Sequence, residues 1–187
     1  MNEPERVDQC RTRAHEAGFE LSCEPAIGRL LATLAAAVPN EGRVLELGTG
    51  AGVSLAWIVS GLEERADVEV VSVESDPALL AIARAGDWPD AVRFVEGDGA
   101  AEVRRQGRFD LVFADAPGGK LEGLGDTIAC LVPGGVLVVD DMDPALHTED
   151  GYGEALARVR DEIVGDPRLV SAELAFSSGA IVAARRA

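Results

Sequence analysis

From about residue 43 onward, the chain alternates short apolar runs with segments of helical spacing. The apolar runs have strand length and read RVLELG, VEVVSVE, VRFVEGD, FDLVFADA and GVLVVDD. Runs of this kind are typical of strands buried on both faces of a parallel sheet. Helical segments such as VSLAWIVSGLEE and GEALARVRDEIV lie between them. Strands that alternate with helices predict an α/β layer with helices on both faces of one sheet.

The flanking segments extend this pattern. The first forty residues are predicted to be helical, with a second helix from about Pro25 to Val38. Later helices are predicted to begin near Asp76-Pro77, to cover AAEVRRQ, and to cover LEGLGDTIACLV up to a break at Pro133-Gly134-Gly135. The final RLVSAELAFSSGAIVAARR predicts two strands joined by a turn at Ser177-Ser178-Gly179. Such a hairpin would place one antiparallel strand in the sheet.

Nearly every predicted strand ends in a carboxylate. In open α/β sheets, ligands bind outside the carboxyl ends of the strands, where the strand order reverses. The residues that follow each strand are therefore the candidates for a functional site. They are Glu46 to Gly52, Glu74, Asp98, Asp115 and Asp140-Asp141.

The turn after the first strand is rich in glycine and reads E-L-G-T-G-A-G. Its glycines allow a tight turn and a close approach of a ligand to the backbone. Dinucleotide sites prefer G-x-G-x-x-G, whereas here the spacing is G-x-G-x-G and Glu46 lies two residues before the first glycine. A carboxylate there would repel a pyrophosphate and attract a cation, such as the ammonium or sulfonium of S-adenosylmethionine. Glu74, after the second strand, is suited to accept hydrogen bonds from both hydroxyls of a ribose.

The run from about Arg43 to Met142 resembles the class I S-adenosylmethionine-dependent methyltransferases. Within them it is most similar to the catechol and caffeoyl-CoA O-methyltransferase group. The matching segments, in the family's order, are VLELGTGAGVS, VVSVESDP, VRFVEGDG, FDLVFADA and LVPGGVLVVDD. The resemblance implies a Rossmann-like, doubly wound sheet of seven strands, mostly parallel with the last strand antiparallel. We expect a single domain over residues 1–187, with a helical N-terminal lid over 1–40 and a cofactor-binding core over 41–187.

The resemblance also implies which residues hold the cofactor. It places four residues around the methionine part of S-adenosylmethionine: Glu46, Gly48, Thr49 and Ser54. It places Glu74 on the ribose and Asp98 with Gly99 beside the adenine. Asp115 is a further candidate for contact with the cofactor or the acceptor.

Metal-dependent members of the group hold a divalent cation with an aspartate after the fourth strand and an Asp-Asn pair after the fifth. The corresponding residues here are Asp115, Asp140 and Asp141, with an aspartate in place of the usual asparagine. Three oxygen ligands suit Mg²⁺, which would lower the pKa of an acceptor hydroxyl. In the alternative interpretation, Asp115 contacts cofactor or substrate, while Asp140 and Asp141 cap the following loop.

Two residues are candidates for the catalytic base. The family pattern D-x-x-K places a lysine near the substrate, and this chain has the longer spacing Asp115-Ala-Pro-Gly-Gly-Lys120. Lys120 is the only lysine among 17 basic residues, and an ammonium can lose a proton where a guanidinium cannot. A genome bias toward arginine codons would also explain this count. His147, shortly after the fifth strand, is a second candidate base, unless it is an exposed loop histidine.

The charge of the chain disfavours several classes of partner. A net charge of −16 and a pI near 4.4 disfavour binding to nucleic-acid phosphates or to an anionic membrane. No apolar run reaches the roughly 18 residues of a spanning helix, and the start of the chain lacks the apolar core of a signal peptide. We therefore expect a cytoplasmic enzyme with a small-molecule acceptor, whose N-terminal helices offer a surface for a homodimer. An NAD-dependent oxidoreductase and a non-catalytic cofactor-binding module stay open as alternatives.

Overall fold

Seven strands form one sheet in the order β3-β2-β1-β4-β5-β7-β6 in the computed structural model, which describes residues 3–63 and 65–187. The strands are β1 Arg43–Leu47, β2 Glu69–Glu74, β3 Val92–Glu96, β4 Phe109–Ala114, β5 Leu131–Val139, β6 Leu169–Leu174 and β7 Ala180–Arg185. The first five pair in parallel, and β7 pairs antiparallel with both β5 and β6. The predicted seven strands and the antiparallel last strand are confirmed. Residues 1, 2 and 64, in the predicted lid and at the end of the predicted VSLAWIVSGLEE helix, lie outside the described residues.

Helices cover the sheet on both faces. They are α1 Glu5–Glu16, α2 Pro25–Ala36, α3 Val53–Leu62, α4 Pro77–Arg84, α5 Gly99–Glu102, α6 Pro117–Lys120, α7 Leu124–Ala129 and α8 Tyr152–Gly165, with a 3₁₀ turn at Pro144–Leu146. On one face, α2 and α3 pack on Val44, Leu111 and Phe113. On the other, residues of α7 and α8 pack on Val112 and Leu137. The sheet is therefore doubly wound, and none of the described helices combines the length and apolarity needed to cross a membrane.

Two predicted helix ends are wrong. The helix predicted over LEGLGDTIACLV ends at Ala129, and β5 already begins at Leu131, so that Pro133-Gly134-Gly135 lies inside the strand. The register explains this, because Leu131 pairs with Phe109 while Val136 pairs with Leu111, and the extra residues form a bulge. Bulges are where sheets tolerate proline and glycine. The helix predicted over AAEVRRQ ends at Glu102, where the chain turns toward β4.

Two glycines lie where helices α2 and α3 pack tightly against each other. A Cβ atom at Gly28 would lie 2.2 Å from Nε1 of Trp57, whose side chain is completely buried. A Cβ atom at Gly61 would lie 2.1 Å from the carbonyl oxygen of Ala32. The absence of a side chain at Gly28 and at Gly61 therefore allows α2 and α3 to pack this closely.

We expect Gly28→Ala to lower the free energy of unfolding by about 1–3 kcal/mol, the usual cost of overpacking a filled core. The better helix propensity of alanine, worth up to about 1 kcal/mol, would offset only part of this cost. Urea denaturation followed by circular dichroism measures the difference. Gly125→Ala in α7 is the matched control, because a Cβ atom there meets its nearest neighbour only at 3.6 Å. Equal destabilisation by the two substitutions would contradict the packing argument.

Candidate active site

The order of the strands reverses between β1 and β4, so a crevice opens at the carboxyl ends of these strands. The backbone amides of Gly48 and Thr49 donate to the Val73 carbonyl at 2.9 and 3.1 Å, which ties the glycine-rich turn to β2. A Cβ atom at Gly48, where φ is +103°, would lie 2.9 Å from the amide nitrogen of Ala116. Only glycine therefore lets the segments after β1 and β4 meet here.

Glu46 lies near the carboxyl end of β1 and is completely buried. The Ser72 hydroxyl, on the neighbouring strand, donates to its Oε2. Its Oε1 has no hydrogen-bond partner among the described residues. Burial raises the pKa of Glu46 to about 8, and the neighbouring Ser54 and Ser72 hydroxyls oppose this shift only in part. Thr49 completes this polar cluster, with its hydroxyl 2.6 Å from that of Ser72.

Glu74 faces the same crevice from the end of β2. Its Oε2 accepts a hydrogen bond from the Gly50 amide at 2.8 Å, and its Oε1 accepts one from the Asp76 amide at 2.9 Å. The charge of Glu74 raises the pKa of Glu46, although burial and the charge of Asp115 raise it more. The two carboxylates thus lie within electrostatic range of each other, and Asp76 caps α4 through the Ala78 amide as predicted.

Asp98 and Gly99 lie at the end of β3, at the same edge of the sheet. The exposed Asp98 accepts a hydrogen bond from the Ala101 amide at 2.9 Å and so caps α5. A Cβ atom at Gly99 would lie 2.3 Å from the carbonyl oxygen of Gly118. The segment after β3 therefore packs against the segment after β4.

The three predicted metal ligands come together in one acidic cluster. Asp115, Asp140 and Asp141 each offer a carboxylate oxygen, and these oxygens lie within 4.8 Å of one another. Burial raises the pKa of Asp115 to about 7, while the charge of Lys120 lowers it and the two other carboxylates raise it. Burial likewise raises the pKa of Asp140 to about 6. Three acidic oxygens at this spacing repel one another, and they are the donor type that Mg²⁺ prefers.

Both candidate bases adjoin these aspartates. Lys120 is 1% exposed, and its Nζ donates to the Asp140 carbonyl at 3.2 Å. The two extra residues before it are absorbed by a kink, with φ of +97° at Gly119. The ring Nε2 of His147 lies 3.2 Å from the Asp141 carbonyl oxygen, and the ring packs on Tyr152 with centroids 4.5 Å apart.

Sequence reasoning missed two residues of the N-terminal segment that lie near these groups. Helix α1 ends in a Schellman motif, in which Gly18 donates to His15 at 3.0 Å and Phe19 donates to Ala14 at 2.9 Å. This motif directs Phe19 onto the glycine-rich turn, where a Cβ atom at Gly50 would lie 3.1 Å from its ring. The glycine after the α1 pattern was the available signal.

Cys23 is the second missed residue. Burial is the main cause that raises the pKa of its thiol, and the charges of Asp140, Asp115 and Glu46 follow. The Cys23 thiol therefore lies within electrostatic range of these three carboxylates. No spacing in the sequence indicated this placement.

Comparison with known proteins gives family relatives over the whole chain. A methyltransferase domain family matches residues 45–142. A curated protein of Mycolicibacterium vanbaalenii, named "Putative O-methyltransferase", is 32% identical over 99% of this chain and 86% of its own length. A protein of the same name from Mycobacterium ulcerans is 30% identical over 99% of this chain and 87% of its own length.

Solved structures show the same fold. The O-methyltransferase from Bacillus cereus, crystallised with SAH, superimposes with a TM-score of 0.84 at 20% identity and covers 100% of this chain and 93% of its own. The O-methyltransferase TomG from Streptomyces achromogenes, crystallised with SAM, gives a TM-score of 0.80 at 22% identity over 100% of this chain and 92% of its own.

Proposed function

The chain belongs to the S-adenosylmethionine-dependent O-methyltransferases, and on that premise we propose that its acidic crevice binds S-adenosylmethionine and methylates an oxygen of a small-molecule acceptor. The observation that carries this proposal is Glu46, a wholly buried carboxylate with one unpartnered oxygen among the described residues. Such a group is costly to bury unless a cation or a donor meets it. The relatives are named as methyltransferases, which leaves the oxidoreductase alternative without support.

The glycine-rich turn and Glu74 hold the cofactor in this proposal. The Gly50 and Asp76 amides fix the Glu74 carboxylate, and each of its oxygens keeps a lone pair for a ribose hydroxyl. Thr49 and Ser54 line the methionine side next to Glu46. Asp98 and Gly99 lie at the adenine side, at the end of β3. The Phe19 ring packs on this turn at Gly50, as a lid residue would.

When bound, S-adenosylmethionine supplies a methyl group on a positively charged sulfur. The acceptor oxygen forms the new C–O bond as the C–S bond breaks, and the hydroxyl proton must pass to a base. The task of the chain is therefore to hold the acceptor oxygen in line with the departing sulfur and to take up that proton.

Asp115, Asp140 and Asp141 would hold Mg²⁺, and the donor set fits this ion because three carboxylate oxygens converge within 4.8 Å. When bound, Mg²⁺ would lower the pKa of the acceptor hydroxyl. Lys120, buried beside these aspartates, is the first candidate for the group that takes up the proton. His147 is the second candidate for this role, on the loop side of the same cluster. The acidity of the chain supports a small acceptor over nucleic acid, and a homodimer and a cytoplasmic location remain predictions.

Calorimetric titration with S-adenosylmethionine tests the function. We expect binding whose affinity rises with pH up to about 8, because a proton on Glu46 competes with the fixed sulfonium charge. Below this pKa the affinity should fall by up to about tenfold per pH unit. Glu46→Gln should bind weakly and lose this pH dependence, whereas Glu162→Gln, on the exposed side of α8, should behave like the wild type.

The outcomes separate the hypotheses. Absence of heat and of a thermal shift with both S-adenosylmethionine and its demethylated product would overturn the proposed function. Displacement of bound cofactor by NAD would favour the oxidoreductase. Binding without turnover across a broad panel of hydroxylated acceptors would favour a non-catalytic module.

A further inference from the structure

The turn between β6 and β7 is fixed to the segment that follows β5. The Met142 amide donates to the Gly179 carbonyl at 2.9 Å, and the Asp143 amide donates to the Ser178 carbonyl at 2.9 Å. Gly179 has φ of +77°, and a Cβ atom there would lie 2.7 Å from the Asp143 amide nitrogen. The hairpin turn therefore lies directly against the acidic cluster, although it is almost forty residues away along the chain.

One side chain of this turn reaches the cluster. The Ser178 hydroxyl donates to Oδ1 of Asp140 at 2.8 Å, and both side chains are buried. The same Oδ1 accepts the Asp141 amide at 2.8 Å. Two donors on one oxygen fix the rotation of the carboxylate and leave Oδ2 available to a ligand.

We propose that Ser178 is a positioning residue that orients the Asp140 carboxylate for a divalent cation. This inference rests on the proposed function of the acidic cluster. Hydrogen bonds to a ligating carboxylate set its orientation, and their loss typically costs about 10–100-fold in metal affinity or activity. Without the Ser178 hydroxyl, Oδ1 keeps only the Asp141 amide, and the carboxylate can turn away from Asp115 and Asp141. The hairpin at the end of the chain thereby becomes part of the metal centre.

The test measures Mn²⁺ binding to the full chain by electron paramagnetic resonance, with cofactor affinity measured in parallel by calorimetry. We expect Ser178→Ala to weaken Mn²⁺ binding by about 10–100-fold and to leave affinity for S-adenosylmethionine unchanged. Ser178→Thr, which keeps the hydroxyl, should restore metal binding. Ser177→Gly is the matched control, because Ser177 lies in the same turn with φ of +59° and glycine suits that conformation. Ser178→Cys, a weaker donor of similar size, provides the same comparison where Ser178→Ala does not fold.

Wild-type Mn²⁺ affinity in Ser178→Ala would overturn this inference and leave the proposed function intact. Equal losses in Ser177→Gly and Ser178→Ala would also overturn it, because the effect would then belong to the turn and not to the hydroxyl. Absence of Mn²⁺ binding by the wild type, with normal binding of S-adenosylmethionine, would overturn both the metal centre and the role of Ser178 while sparing the methyltransferase assignment.

Discussion

Asp115→Asn is expected to lower kcat for methyl transfer at least about a hundredfold, since a metal's stabilisation of developing charge is worth several kcal/mol. The substitution keeps the size of the side chain and replaces with an amide one of three carboxyl groups whose oxygens lie within 4.8 Å of one another. Initial rates with labelled S-adenosylmethionine, at saturating Mg²⁺ and with a panel of hydroxylated acceptors, measure the loss. The same rates after chelation and re-addition of Mg²⁺ should show that wild-type turnover depends on the ion.

Cofactor affinity separates two roles of Asp115. If Asp115 serves the metal, Asp115→Asn binds S-adenosylmethionine as the wild type does while its Mg²⁺ affinity falls. If Asp115 contacts the cofactor, the affinity of the Asp115→Asn variant for S-adenosylmethionine falls instead. Asp161→Asn, exposed on α8, is the control for loss of one negative charge. Wild-type turnover that resists chelation would contradict the metal centre.

The position of the site could be predicted because strand ends are readable from sequence. Apolar runs fixed where β1, β4 and β5 end, and parallel strands bring their carboxyl ends to one edge. That argument placed Asp115, Asp140 and Asp141 at this edge, and the family resemblance grouped them as metal ligands. It could not give strand order, since the contact of β1 with β4 depends on packing between distant segments.

Two failures have a common physical origin. Pro133-Gly134-Gly135 looks like an element boundary because proline and glycine disfavour regular structure, yet pairing with β4 draws these residues into a bulge. Ser178 looks like any turn serine, and only the fold of the hairpin carries its hydroxyl to Asp140. In both cases a long-range contact overrides what the local residues indicate. Phe19 differs, because Gly18, the glycine that follows α1, is a local signal for the turn that places it.

Lys120→Met is expected to lower kcat by about 10²–10⁴-fold, the usual contribution of a general base, with little change in affinity for S-adenosylmethionine. The lysine is buried against the Asp140 carbonyl, so its loss also removes a positive charge from beside three carboxylates. The loss of a base and the loss of a charge predict different behaviour of Lys120→Arg. Arginine keeps the charge and cannot release its proton. If the charge alone matters, Lys120→Arg retains activity, and if the amine is the base, it does not.

Single-turnover rates across pH 6–10 decide between Lys120 and His147 as the base. We expect Lys120→Ala to lose its rate and to recover part of it with added methylamine, because a small amine can occupy the vacated space and accept the proton. His147→Ala should keep most of its rate, since its ring contacts the Asp141 carbonyl and Tyr152 at the outer side of the cluster. A larger loss in His147→Ala, restored by imidazole and not by methylamine, would move the base to the loop after β5. It would also reduce Lys120 to a counter-charge for Asp115, the group whose pKa its ammonium lowers.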